Sequence, residues 1–208
     1  MYLNRPLREF IEETSSKTPT PGGGSVAALA GCLGASLICM VANFTIGNKK
    51  YKDVEEDVKD ILKEAEELKS RLSELISEDI QAYEEVLRAT KIPKDNKEMR
   101  EKRFFTLQKA LKNAAIVPHK TAYSCFQLIK LARKLSPKAN PNLITDIGVG
   151  VLFAEAALQS AAINVEINLA FIKDEKFNTG RKEELSLILA HGEKIKNEVI
   201  EKIKKKIQ

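Results

Sequence analysis

The chain has 208 residues, with 34 Lys and Arg against 29 Asp and Glu, a net charge of +5 and no Trp, and its sequence pI is about 9.0; this length suits one domain, residues 1–208, that buries a core without disulfides. Cys32, Cys39 and Cys125 are odd in number and lack CxxC spacing, which excludes a disulfide framework and points to free thiols in a reducing compartment, and no His, Cys and acid cluster has metal spacing. Lys and Glu interleave along the charged segments as on solvated helix faces rather than a nucleic-acid surface, and the start MYLNRPLREF has no apolar signal region, so a cytoplasmic location is expected.

In chain order, a short first helix is expected with Asn4 as its cap, Pro6 in its first turn and Leu7, Phe10 and Ile11 on one face. The loop SSKTPTPGGGS follows. From Thr18 to Asn48 there is no Asp, Glu, Lys or Arg, and the run from Ser25 to Ile46 predicts a helix that is apolar all round. Ser25 is expected as its N-cap and Gly47 as the residue just past its end. The run is long enough to cross a bilayer, but its Ala, Gly, Ser, Cys and Asn content favours the centre of a water-soluble bundle. Ala27, Gly31 and Ala35 form a ridge of small residues, which predicts a closely approaching partner helix, from this chain or a second subunit.

An amphipathic helix is expected from about Asp53 to Ala89, its apolar stripe sustained for about ten turns. Ile92–Asp95 breaks it. The next helix spans about Asn96 to Leu135, with Pro118 expected to kink or divide it. After the loop Ser136–Asn142, a second apolar helix is expected over about Pro141–Ile172, where the acids Asp146, Glu155 and Glu166 lack accompanying bases. Asn178, Thr179 and Gly180 read as a turn before the last helix, whose KIKKKIQ end reads as a solvated tail. No segment alternates as a strand, so the fold class is all-α: a helical bundle with two apolar central helices surrounded by long amphipathic ones.

Several residues could carry chemistry. Gly22, Gly23 and Gly24, preceded by Pro21, leave backbone N–H groups uncovered at a helix start; they could hold a carboxylate, a phosphate or a polarised carbonyl, or simply form a tight turn. Asp79 sits within the apolar stripe among Leu75, Ile76, Ile80 and Tyr83. Burial there would raise its pKa towards that of a general acid or base, unless it reaches water or a Lys at the stripe edge. Asn164 and Asn168 stand one turn apart and could read a polar heterocycle, or bond between helices. Asp146 shares their face but lies about 27 Å away along an ideal helix. Ser25 has no His partner nearby in sequence, and His119 and His191 are isolated.

The segments TPTPGGGSVAALAGCLGASLICMV, ISEDIQAYEEVLRATKIPK, Ile116–Pro118 and TDIGVG…NVEINL, in this order over nearly the whole chain, resemble the formiminotetrahydrofolate cyclodeaminase family. That family includes stand-alone members acting as methenyltetrahydrofolate cyclohydrolases. The resemblance implies an all-α homodimer acting in one-carbon metabolism on a tetrahydrofolate derivative, without a separate cofactor or metal. It implies cyclodeamination of 5-formiminotetrahydrofolate to 5,10-methenyltetrahydrofolate with loss of ammonia, with cyclohydrolase action as the alternative and non-catalytic folate binding as a further one. It assigns proton transfer to Asp79 and the pocket wall to Pro21, Gly22, Gly23, Gly24, Ser25, Asp146, Asn164 and Asn168. Asp146 would favour the cationic methenyl ring, and the glycine entrance with exposed lysines would suit polyglutamylated folate. His119 departs from the family pattern, which has an aliphatic residue after Val-Pro, and is given no role.

Overall fold

The computed structural model describes residues 2–207. Six α-helices run over Leu7–Ser15 (α1), Gly23–Thr45 (α2), Glu55–Thr90 (α3), Lys97–Leu135 (α4), Ile144–Leu169 (α5) and Glu175–Ile207 (α6). Short 3-10 turns lie before α1 at Tyr2–Asn4, between α2 and α3 at Lys49–Val54 and before α5 at Pro141–Leu143, and no strand occurs among the described residues. The all-α expectation holds.

Helices α2, α3, α4 and α5 form a ring in which each packs on the next, and α6 lies along α4 and α5. The small-residue ridge of α2 explains how closely they meet. A Cβ added at Gly31 would come within 2.7 Å of the Cys125 Sγ of α4 and 3.1 Å of Leu72 on α3. One added at Gly34 would stand 2.8 Å from the Gly150 carbonyl oxygen of α5. The close partners expected from the sequence therefore come from this chain. Gly34 lies against Gly150 and Ala154, while Gly23 lies against Asn164; α2 and α5 thus run antiparallel, the start of one beside the end of the other.

Both central helices are long and apolar enough to span a membrane, yet 56% and 50% of their apolar windows are buried inside the bundle. Their uncovered sides share one face. Val26, Leu33 and Phe44 of α2 and Val149, Leu152, Phe153, Ile163 and Ile167 of α5 remain exposed. The acids of α5 do not enter the core: Asp146 and Glu155 are half-buried and Glu166 is exposed.

Several boundaries differ from the sequence expectation. Asn4 belongs to a 3-10 turn and Pro6 is the cap residue of α1; of its expected apolar face only Phe10 is buried, with Leu7 and Ile11 exposed. Helix α2 starts at Gly23 with Gly22 as N-cap, so Ser25 is already inside its first turn. Gly47, at φ 75°, does follow the helix end in the left-handed region that favours glycine. Helix α4 runs undivided through a buried Pro118. Helix α6 passes straight through Asn178–Gly180 because Asp174 supplies its cap, Oδ1 accepting from the Phe177 N–H at 3.0 Å. The Asn178 amide meanwhile donates to the carbonyls of Leu169 and Ile172. Its basic end is helical and largely solvated, as expected, with Lys202, Lys204 and Lys205 exposed, while Ile203 is buried and the Lys206 ammonium donates to the Ser136 carbonyl.

Candidate active site around Ser25 and Asp79

The start of α2 has no side-chain cap of its own, since Gly22 offers none. A carboxylate from another helix takes that place. Asp79 of α3 accepts the Ser25 hydroxyl on Oδ2 at 2.8 Å, and the Ser25 backbone N–H also points to it. An acid at the positive end of a helix is electrostatically favoured. Gly24 makes the approach possible, because a Cβ there would overlap the Asp79 carboxylate. Ser25 is wholly buried, and Asp79 is half-buried, so one edge of the carboxyl remains reachable.

Two neighbouring acids acquire opposite characters here. Glu78 is gripped by Arg71 through Nη1 at 2.5 Å and Nη2 at 2.9 Å, with Lys120 at 3.8 Å, and the Arg71 hydrogen bond holds its pKa below the usual range. Asp79 meets no cation among the described residues. Burial pushes its carboxyl above 3.8, and the Ser25 hydroxyl and N–H only partly offset this. Environments that separate the pKa values of adjacent carboxyls hold one ionised and leave the other better able to exchange a proton. The helical stripe flagged Asp79; the role of Glu78 was visible only as an acid seven residues after Arg71, two turns along one helix face.

The remaining candidate residues divide into two groups. Pro21 is buried behind a cis Thr20–Pro21 peptide. The Asn164 amide lies over Gly23, 3.4 Å from where a Cβ would be, and its Nδ2 donates to the Ser160 carbonyl at 2.8 Å. Asn168 Nδ2 donates to the carbonyls of Asn164 at 2.7 Å and Ala114 at 2.9 Å. Pro21–Ser25, Asp79, Asn164 and Asn168 therefore gather at one end of the bundle. Asp146 does not join them. It sits in the first turn of α5, about 27 Å from Asn164 at the usual helical rise, at the opposite end of the molecule. No group of three or more potential metal ligands occurs among the described residues. Of the groups that the glycine entrance could hold, a carboxyl does meet it at Ser25, and it is the protein's own Asp79.

His119, given no role from the sequence, is 5% exposed, and its Nε2 has no hydrogen-bond partner among the described residues. The Glu184 carboxylate stands 3.3 Å away. Burial lowers the pKa of the ring more than Glu184 restores it.

Residues 6–187 match the model of the formiminotransferase-cyclodeaminase family. The chain belongs to that family. Among its relatives, the methenyltetrahydrofolate cyclohydrolase of Methylorubrum extorquens is 39% identical over 207 residues, covering 100% of both chains. The formimidoyltransferase-cyclodeaminase of Gallus gallus is 33% identical over 177 residues, covering 85% of this chain but only 33% of its own length. This chain thus spans about a third of that larger family member. The crystal structure of formiminotetrahydrofolate cyclodeaminase from Thermotoga maritima superposes with a TM-score of 0.91 at 32% identity, covering 100% of both chains. The cyclodeaminase part of the family is therefore matched in sequence and in fold.

Proposed function

We propose that the protein is an enzyme that opens or closes the one-carbon bridge between N5 and N10 of a tetrahydrofolate derivative, with Asp79 as the proton carrier. The observation that carries this reading is the Asp79 carboxyl, raised by burial, held by Ser25 at 2.8 Å and still reachable from solvent. Nucleophile and electrophile are tethered in these substrates, so folding the ligand and moving protons are the tasks left to the protein.

The cyclohydrolase reaction comes first, supported by the 39% identity over the whole chain to a relative of that name. Asp79 as carboxylate takes a proton from water as its oxygen bonds to the methenyl carbon of 5,10-methenyltetrahydrofolate. The protonated Asp79 then delivers that proton to N5 as the C–N5 bond breaks, and the hydroxyl proton leaves to solvent, giving 10-formyltetrahydrofolate. The similarity to the Thermotoga maritima cyclodeaminase supports the second reading. There N10 attacks the formimino carbon of 5-formiminotetrahydrofolate and its proton passes to the imino nitrogen. Protonated Asp79 donates to the resulting amino group, ammonia departs, and the methenyl cation forms.

The uncovered apolar face of α2 and α5 supports a homodimer. A two-fold pairing along these antiparallel helices would carry the α5 start of one copy, with Asp146, towards the α2 start of the other. In this reading Asp146 favours the cationic ring electrostatically, and the enzyme works in the cytoplasm. The test supplies purified protein with 5,10-methenyltetrahydrofolate and, separately, 5-formiminotetrahydrofolate, following methenyl absorbance and ammonia. Methenyl loss above its spontaneous rate supports the first reaction, and methenyl gain with ammonia the second. Neither change would remove the enzymatic reading and leave a folate-binding bundle.

A further inference from the structure

Pro118 has no N–H, so the carbonyl of Ala114, four residues earlier in α4, lacks its helical donor. Ala114 is buried at 9% exposure and Pro118 is buried too. An orphaned buried carbonyl is costly unless another donor reaches it. The donor is Asn168 of α5, whose Nδ2 stands 2.9 Å from the Ala114 oxygen and 2.7 Å from the Asn164 oxygen. This accounts for how α4 passes Pro118 undivided.

The same bonds fix which way the amides face. Carbonyl oxygens only accept, so the nitrogen of Asn168 must point at Ala114 and Asn164, and that of Asn164 at Ser160. Asn168 has spent both N–H groups. The two Oδ1 atoms have no hydrogen-bond partner among the described residues, and neither is among the buried polar atoms left unpaired, so both reach solvent. Asn164 presents its oxygen beside Gly23, at the end of the bundle that holds Asp79.

We propose that Asn168 is a positioning residue: it closes the gap that Pro118 opens in α4, and in doing so turns its own oxygen outwards beside that of Asn164, which the Ser160 carbonyl orients, so that the two serve as hydrogen-bond acceptors for N–H donors of the ligand. Resting on the folate reading above, those donors are the ring N–H and amino groups of a reduced pterin. A ligand offering only an acceptor against Asn168 is rejected, because that amide cannot rotate to offer an N–H group without orphaning the Ala114 carbonyl.

The test is a four-protein cycle of wild type, Pro118→Ala, Asn168→Ala and the double variant, read by urea midpoint and by tetrahydrofolate binding. Ala at 118 restores the N–H to the Ala114 carbonyl. Asn168→Ala should therefore lower the urea midpoint in the wild-type background and by less than half as much beside Pro118→Ala. Equal drops in both backgrounds would overturn the bridge. Tetrahydrofolate binding should weaken about tenfold on Asn168→Ala in both backgrounds, since Pro118→Ala repairs the helix but not the lost acceptor. Full recovery of binding in the double variant would overturn the acceptor role. If wild type binds no tetrahydrofolate, the folate reading and the ligand half of this proposal both fail, while the midpoints still decide the bridge.

Discussion

Asp79 caps a helix to which it does not belong: its Oδ2 accepts the Ser25 hydroxyl at 2.8 Å across 54 residues of sequence, and the Ser25 backbone N–H joins it. The bond welds α3 to the start of α2. It also sets the carboxyl where burial raises its pKa, so one contact serves both the fold and the proposed chemistry.

Asp79→Asn should lower turnover by about 10²–10⁴, the usual contribution of a positioned acid or base, and should stabilise the protein at pH 7. The sign follows from the raised pKa. The unfolded chain releases this proton at a lower pH than the folded one, so the stability contributed by Asp79 is complete below 3.8 and is lost as pH rises through the folded value. Thermal unfolding of both proteins from pH 3 to 8 measures it. A variant that gains nothing at pH 7 over its difference at pH 3 contradicts the burial argument.

Gly24→Ala and Gly180→Ala should move in opposite directions. The first places a Cβ inside the Asp79 carboxylate, which must swing away from Ser25; we expect a loss of about 1–3 kcal/mol together with most activity. The second adds a methyl to α6 with none of the described residues within 4 Å, and should stabilise by about 0.5–1 kcal/mol. Urea titration of both variants gives the comparison, and equal signs would show that the space around Gly24 is not what limits it.

The contrast between these glycines shows what could be read from the chain. The period of Val58, Ile61, Ala65, Leu72, Leu75 and Ile76 gave α3 and placed Asp79 among them, because an amphipathic stripe is a local pattern. Gly47 marked a helix end for the same reason. Ser25 looked like an N-cap because local chemistry favours serine there, while the group that caps α2 comes from α3 and leaves no local signal. Asn178–Gly180 looked like a turn, yet Asn178 spends its amide on the end of α5, a tertiary bond that overrides its preference. Pro118 reads as a kink or a division of its helix, and the residue that compensates for its missing N–H is 50 positions further on.

His119 should make the protein acid-sensitive. Its pKa lies below 6.5 because burial disfavours the charged ring, so the unfolded chain binds this proton first and stability falls as pH drops from 6.5 through the folded value. Arg181 adds to the lowering, and Glu184 opposes it. Glu184→Gln should therefore steepen the loss below pH 6.5, and His119→Asn should flatten it. Urea midpoints between pH 4.5 and 8 report both, and a Glu184→Gln profile that parallels wild type would mean that the 3.3 Å approach does not couple the two groups.

The apolar face of α2 and α5 yields the prediction that reaches furthest into function. Ile163 is 67% exposed and Leu33 47%, on a face where contiguous apolar side chains mark an interface. A lysine at either position costs little in an isolated chain but would be buried without a partner in a dimer, where an unpaired charge is expensive. Leu33→Lys and Ile163→Lys should convert a dimer into a monomer by light scattering while leaving the helical circular dichroism intact. If the proposed site needs Asp146 from the second copy, turnover should fall with the dimer fraction and rise as protein concentration drives reassociation. Asp146→Asn should depress turnover without changing mass. A monomeric wild type with full activity would instead place the whole reaction within one chain, at the Ser25–Asp79 end, and leave Asp146 outside it.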